Sequence, residues 1–371
     1  MKIRQSELDL IAACLIEDDG FESKFRVWES GADLRTINYG ALRVLPFLQT
    51  RLSKLKIESH LSPAIQRIYR YFWVKRELQK ETIQRSVIPL MKGIKSVALK
   101  GLALEALAYK DGELRPFSDV DFLVSRNDFR LMAERASKYD FYYRGVTPAR
   151  SFEYFQHAKS FQGNHLELDI HWTFFPLGID PFYDERIRDR STANPTQGDW
   201  LFPSPTDALI QTVLHGIRPD VVSPIRWLID AHLLVSRNEI DWDLLQKEAK
   251  GLGLLSELET SLSLLGQFTK NEYAHFRKGG ASFPDLNIAH AAARWSVKSD
   301  SMWMKRIARI FGSDVIMVRK ALAKDGKSIN PLNIFKTVIW ESIREIFSVL
   351  GIHSISSVWT GKWSLNKAKD E

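Results

Sequence analysis

From His165 to Trp172 polar and apolar residues alternate without a slip. His165, Glu167, Asp169 and His171 fall on one side, and Leu166, Leu168, Ile170 and Trp172 on the other. Strand side chains point alternately to the two faces of a sheet, so the pattern specifies a strand with one apolar face and one polar face. A shift of one residue would reverse every side chain, which leaves the register little freedom. Asp119-Val120-Asp121-Phe122-Leu123-Val124 has the same character, with Val120, Phe122 and Val124 on one face and two aspartates on the other. A chain with these segments must build a sheet, and it must find a use for acids embedded in apolar surroundings.

Asp119 and Asp121 project from one face with Cα atoms about 6.5 Å apart, close enough to converge on cations between them. Two carboxylates alone repel and raise one pKa, so a divalent cation is their natural third partner. Two-metal sites hold their ions about 3.5–4 Å apart with bridging carboxylates. If the second strand lies across from the pair, Asp169 completes a three-carboxylate metal site, with Glu167 the alternative for that position. Oxygen ligands with room for water suit Mg²⁺ or Mn²⁺ better than zinc. A zinc site on His165, Glu167, Asp169 and His171 fails on distance, because the two histidines would be about 20 Å apart along the strand. His171 is therefore expected behind the ligands or facing substrate, and His165 at an exposed strand end.

Val97-Ala98-Leu99 reads as a short buried strand, and Lys100-Gly101 follows directly and opens a helix over 102–109. The free N–H groups and positive dipole of a helix start can hold an anion. Gly101 would admit a phosphate closely, and Lys100 would add a point charge.

Around this centre the chain divides by composition. Residues 1–95 read as a helical region, with Ser62-Pro63 as a helix start and Pro89 and Gly93 as its end. Residues 96–175 carry the strands, including a hairpin of 152–162 and 165–172 joined by Gly163-Asn164. Residues 176–270 open with a Pro-, Asp- and Arg-rich stretch over 176–205, read as a long surface loop. Two helices over 206–235 and a third capped by Asp241 follow. Residues 271–371 form a basic helical region, with an amphipathic helix over 331–350. From residue 270 onward there are 17 Lys and Arg against 9 Asp and Glu, so the chain's net charge of +7 is concentrated there. That balance suits an anionic partner such as RNA, or else a solvated face. The 44% apolar and 26% charged fractions are those of a globular chain with a core. A lone cysteine, Cys14, excludes an internal disulfide framework, and no apolar run is long enough for a transmembrane helix. With no signal-peptide pattern at the start, a cytoplasmic protein is expected.

The ordered set Leu99-Lys100-Gly101, Leu114-Arg115-Pro116-Phe117-Ser118-Asp119-Val120-Asp121-Phe122 and Leu168-Asp169-Ile170-His171-Trp172 resembles a family of bacterial uncharacterised nucleotidyltransferases with the polymerase β-like fold. Leu214-His215-Gly216, the stretch from Ile225 to Asp230, and Ile240-Asp241-Trp242 are similar to its helical part. The resemblance, over about residues 95–250, implies an α+β protein with a small mixed sheet flanked by N- and C-terminal helical regions. It implies Mg²⁺-dependent transfer of a nucleoside monophosphate from an NTP such as ATP to an acceptor, with release of pyrophosphate. Asp119 and Asp121 would hold the metals, Asp169 would complete the site and help activate the acceptor, and Ser118 would lie beside the triphosphate. Where the superfamily has Gly-Gly or Gly-Ser before its acid pair, this chain has Lys100-Gly101.

Other residues keep two readings. Arg115 is a phosphate clamp or the partner of a nearby acid such as Glu113 or Asp111. His215 is a substrate-facing residue or a core histidine, and Asp230 is a site residue or the i,i+4 partner of Arg226. An active transferase acting on a small molecule, glycan precursor, peptide or protein is the leading expectation. The alternatives are a toxin-like enzyme acting on tRNA, a catalytically silent NTP-binding scaffold, and a metal-dependent hydrolase.

Overall fold

The alternating segments become the strands they specify, and the helices cover both faces of the sheet those strands build. A computed structural model describes residues 4–143, 158–174, 182–193, 198–216, 225–252 and 254–269. The expectations for 271–371, and for the first residues of the hairpin arm read over 152–162, lie outside the described residues. The strands are β1 (Ser96–Leu99), β2 (Asp119–Val124), β3 (Tyr142–Tyr143), β4 (Ala158–Gln162), β5 (Glu167–His171), β6 (Thr192–Ala193) and β7 (Leu201–Phe202). They form a sheet in the order β3-β4-β5-β2-β1-β7-β6. β2 runs parallel to β5 and β1 parallel to β7, while the remaining neighbours are antiparallel. This is the mixed sheet of an α+β protein.

Apolar alternation sets the register. Val120, Phe122 and Val124 join Leu168 and Ile170 in one apolar cluster, whereas Leu123 on the opposite face of β2 joins another. Each such side chain, fully buried, contributes about 1.5–3 kcal/mol, so a one-residue slip would forfeit several of these at once. The resulting parallel pairing sets Asp119 opposite Glu167 and Asp121 opposite Asp169. The β4–β5 hairpin forms as expected, with a longer connection. The Gly163 N–H donates to the Leu166 carbonyl at 2.9 Å, and His165 adopts a left-handed φ of 59°. His165 is thus exposed in the loop, and the strand proper begins at Glu167.

The N-terminal helices are α1 (Gln5–Leu15), α2 (Asp18–Gly31), α3 (Tyr39–Leu42), α4 (Leu45–Leu55), α5 (Ser62–Thr82) and α6 (Ile88–Met91). The apolar spacing drifts between Leu34 and Leu48 because the chain leaves one helix after Gly31 and enters others at Tyr39 and Leu45. Ser62 begins α5 without capping it; the Ser59 hydroxyl accepts from the Leu61 N–H at 2.9 Å just before. Pro89 does not end the helical stretch. A π-helical turn over Ile83–Val87 carries the chain from α5 into α6, with the Ile88 N–H reaching back to the Ile83 carbonyl. Pro89 then falls in the first turn of α6, where its missing N–H removes no needed bond. Gly93, at φ 75°, makes the stop.

The later helices are α7 (Lys100–Ala108), α8 (Arg126–Arg135), α9 (Tyr183–Arg190), α10 (Pro205–Gly216), α11 (Arg226–Arg237), α12 (Trp242–Gly251) and α13 (Leu255–Leu265). α9, β6 and β7 correct the expectation of a surface loop over 176–205. Tyr183 and Ile187, one helical turn apart, are buried, while Arg186 and Arg190 pair with Glu248 and Asp207. The charges that made this stretch resemble a loop are the partners of buried acids. Asp241 caps α12 as expected, accepting from the Leu244 N–H at 2.8 Å.

One core cluster joins Leu10, Phe21 and Leu48 from the early helices to Leu209, Leu228 and Leu258 from the late ones. On the other side Val87, Leu90, Phe129 and Met132 pack against Ala98, Phe122 and Ile170. Among the described residues no helix is long and apolar enough to cross a membrane. Cys14 lies in the first cluster, and burial pushes its thiol up to about 12, with Arg51 opposing weakly. A thiol reagent at pH 8 should therefore label Cys14 only after unfolding; labelling of the native protein at the rate of a free thiol would contradict this packing.

Candidate active site

Asp121 lies at the centre of the sheet, 1% exposed. A carboxylate there is costly unless paired. Two neighbours pair it. The Lys100 ammonium forms an ion pair with Asp121 Oδ1, and His171 Nε2 lies 2.9 Å from the same oxygen. Burial alone would raise the Asp121 carboxyl, but Lys100 and then His171 outweigh it and hold it down at about 2. Lys100 reaches this position from a left-handed backbone, φ 44°, at the junction of β1 and α7. Such a conformation is uncommon for a residue with a Cβ and costs about 1–3 kcal/mol. The Lys100 N–H donates to Gln211 Oε1 of α10 at 3.2 Å, which secures the turn.

Across β5, Asp169 accepts a hydrogen bond from Ser160, yet its Oδ1 is buried with no hydrogen-bond partner among the described residues. Burial and then the Asp121 charge push its carboxyl up to about 6. Ligand atoms of Asp121, Asp169 and His171 all lie within 4.8 Å of one another. Two carboxylates and an imidazole at that spacing, one carboxylate oxygen lacking a donor, have the composition a divalent cation uses. The residues present fit a metal ion.

Asp119 lies outside that set, half-buried at the start of β2, with the Ser118 hydroxyl donating to its Oδ1 at 3.2 Å. Glu167 is half-buried opposite it. Gly101 is also closely packed. A Cβ there would come within 3.0 Å of Phe117 Cβ and 3.3 Å of Arg115 Nη1. The space a side chain would take is already filled by the loop leading into β2.

That loop is anchored by Arg115. Its Nε and Nη2 donate to Asp230 at 2.9 and 2.8 Å, and both residues are buried. Tyr109 donates its hydroxyl to Asp230 at 2.7 Å, and Arg226 Nε lies 3.7 Å away. Asp230 is therefore held chiefly by Arg115, more than by the i,i+4 contact with Arg226, and Glu113 pairs with Arg237. His215 is half-buried in the last turn of α10.

Sequence reading missed three contributors. Gln79 of α5 donates to the Phe117 carbonyl at 2.9 Å, and Arg43 and Arg226 both reach the Pro116 carbonyl. These lie 38, 73 and 110 residues from the carbonyls they meet, so no local pattern links them to the loop. His171 was expected behind the ligands or facing substrate; the structure sets it beside Asp121 and Asp169, in the cluster that could hold a metal.

Residues 39–270 match the model of a family described as uncharacterised nucleotidyltransferase. The chain belongs to this family. No curated protein matches it. In this member of the family a mixed sheet carries a carboxylate and histidine cluster on β2 and β5.

The two central aspartates pull stability in opposite directions with pH. Asp121, lowered from 3.8 to about 2, contributes stability that appears as pH rises through that window. Asp169, raised from 3.8 to about 6, binds its proton more tightly folded than unfolded, so metal-free stability falls as pH rises across that interval. Urea midpoints from pH 4 to 7 should show this falling contribution in the wild type and lose it in Asp169→Asn. Identical profiles for the two proteins would contradict it.

Proposed function

We propose that this protein is a metal-dependent nucleotidyltransferase that moves a nucleoside monophosphate from an NTP to an acceptor. The observation that carries the reading is the cluster of Asp121, Asp169 and His171, with its buried unpartnered carboxylate oxygen, in a chain of the nucleotidyltransferase family. Asp121 and Asp169 would hold Mg²⁺ or Mn²⁺, with His171 as a third ligand. Asp119, at the exposed end of β2, would take a second cation together with the nucleotide phosphates. When bound, divalent cations neutralise phosphate charge and acidify a coordinated hydroxyl.

The chain's own groups divide the remaining work. The acceptor oxygen forms a bond to the α-phosphorus, the α–β anhydride bond breaks, and pyrophosphate leaves with its electron pair. Asp169, whose Oδ1 is buried with no hydrogen-bond partner among the described residues, is the carboxylate placed to receive the acceptor's proton. Lys100 balances the buried charge of Asp121 and can turn its ammonium toward the phosphates as they arrive. Ser118 lies next to Asp119 and offers a hydroxyl to the triphosphate.

The Lys100–Asp121 ion pair favours a second reading, in which the ammonium stands permanently in place of a cation and the protein binds NTP without turnover. Calorimetric titration with Mn²⁺, followed by pyrophosphate release from NTPs with Mg²⁺, separates the two. The transferase reading expects saturable Mn²⁺ binding that Asp121→Asn and Asp169→Asn each weaken by at least about tenfold, in folded variants, with loss of pyrophosphate release. Absence of Mn²⁺ binding in the wild type would overturn it. NTP binding without pyrophosphate release for any acceptor class supplied would favour the silent reading.

A further inference from the structure

The place a divalent cation would take among Asp121, Asp169 and His171 already faces a charge of the same sign. Lys100 pairs its ammonium with Asp121 Oδ1, and its Nζ lies 3.3 Å from His171 Nε2. These are two of the three side chains whose ligand atoms gather within 4.8 Å of one another. The charge of Lys100 also reaches the third, Asp169, whose Oδ1 has no hydrogen-bond partner among the described residues.

One ammonium serves this cluster incompletely. It bonds to Asp121 and leaves a buried oxygen of Asp169 without a donor, whereas a divalent ion accepts an oxygen from each carboxylate. The two cations cannot share Asp121 Oδ1, because like charges a few ångströms apart in a poorly hydrated site repel several times more strongly than in water. The ammonium has a way out. The Lys100 side chain is 20% exposed, against 1% for Asp121 and 4% for His171, so lysine forms the wetter side of the cluster. Its four-carbon stem is flexible and its ammonium is readily hydrated. The backbone end is fixed by contrast, at φ 44° with its N–H held by Gln211 Oε1, so only the side chain need turn.

We propose that Lys100 is a built-in competitor of the metal. A divalent cation enters by displacing the ammonium from Asp121 and His171, and the lysine thereby sets how tightly the ion is held. The inference rests on the reading of this cluster as a metal site and adds to it an exchange of one cation for another. The ion is then held more weakly than its ligands alone would hold it.

Two measurements on the full chain test the exchange. Calorimetry should show Lys100→Met binding Mn²⁺ at least about tenfold more tightly than the wild type, and Lys100→Arg, which keeps the charge, no more tightly. Circular dichroism reports whether Lys100→Met, with Asp121 deprived of its ammonium, stays folded. The second measurement needs no variant. Acetylation of Lys100 by an N-hydroxysuccinimide ester, read by mass spectrometry of the wild type, should rise severalfold once saturating Mn²⁺ frees the amine. Labelling that saturating Mn²⁺ leaves unchanged, or Mn²⁺ binding no tighter in folded Lys100→Met, overturns the proposal and leaves the metal site intact. Mn²⁺ binding by Lys100→Met alone means that the ammonium never yields, which also overturns it. Absence of Mn²⁺ binding in both proteins overturns the metal reading and this inference together.

Discussion

A single buried carboxylate, Asp121, governs how the strands and the first helix of the sheet region are joined. An unpaired charge at that depth would cost several kcal/mol, a large share of what an ordinary domain has in reserve. The fold meets the cost by bringing Lys100 from the end of β1 and His171 from the end of β5 to the same oxygen. Lys100 reaches it only through a left-handed backbone, so local strain is accepted to place an ammonium at the sheet centre. Asp169, the register partner of Asp121, has no such compensation, and this asymmetry makes one carboxylate firmly ionised and the other easily protonated.

The strands were legible because their signal is local and redundant. Six residues of β2 and the alternation through β5 each specify a face, and matching those faces excludes every one-residue slip from the pairing that aligns Asp121 with Asp169. The site's outer parts were not legible for the opposite reason. Arg43, Gln79 and Arg226 meet the 115–118 loop only after the helices have packed, and nothing in their neighbouring residues marks them. α9 was hidden because its apolar face is narrow, Tyr183 and Ile187, and its arginines resemble solvated charge until Glu248 and Asp207 are found opposite.

Gly101 shows a packing constraint that its neighbours in sequence do not reveal. A glycine at a helix start beside a lysine suggests room for phosphate, yet Phe117 and Arg115 occupy that room. The glycine allows the loop to lie against α7, and the loop in turn presents Ser118 and Asp119 at the open end of β2.

The anchoring of residues 115–118 has a mechanical consequence. Their carbonyls and side chains are tied to α5 through Gln79, to α11 through Arg226 and Asp230, and to the turn before α4 through Arg43. A segment braced from three directions has almost no soft mode of its own, so it cannot serve as a flap. Ser118 and Asp119 therefore keep a fixed place at the start of β2, whatever moves elsewhere.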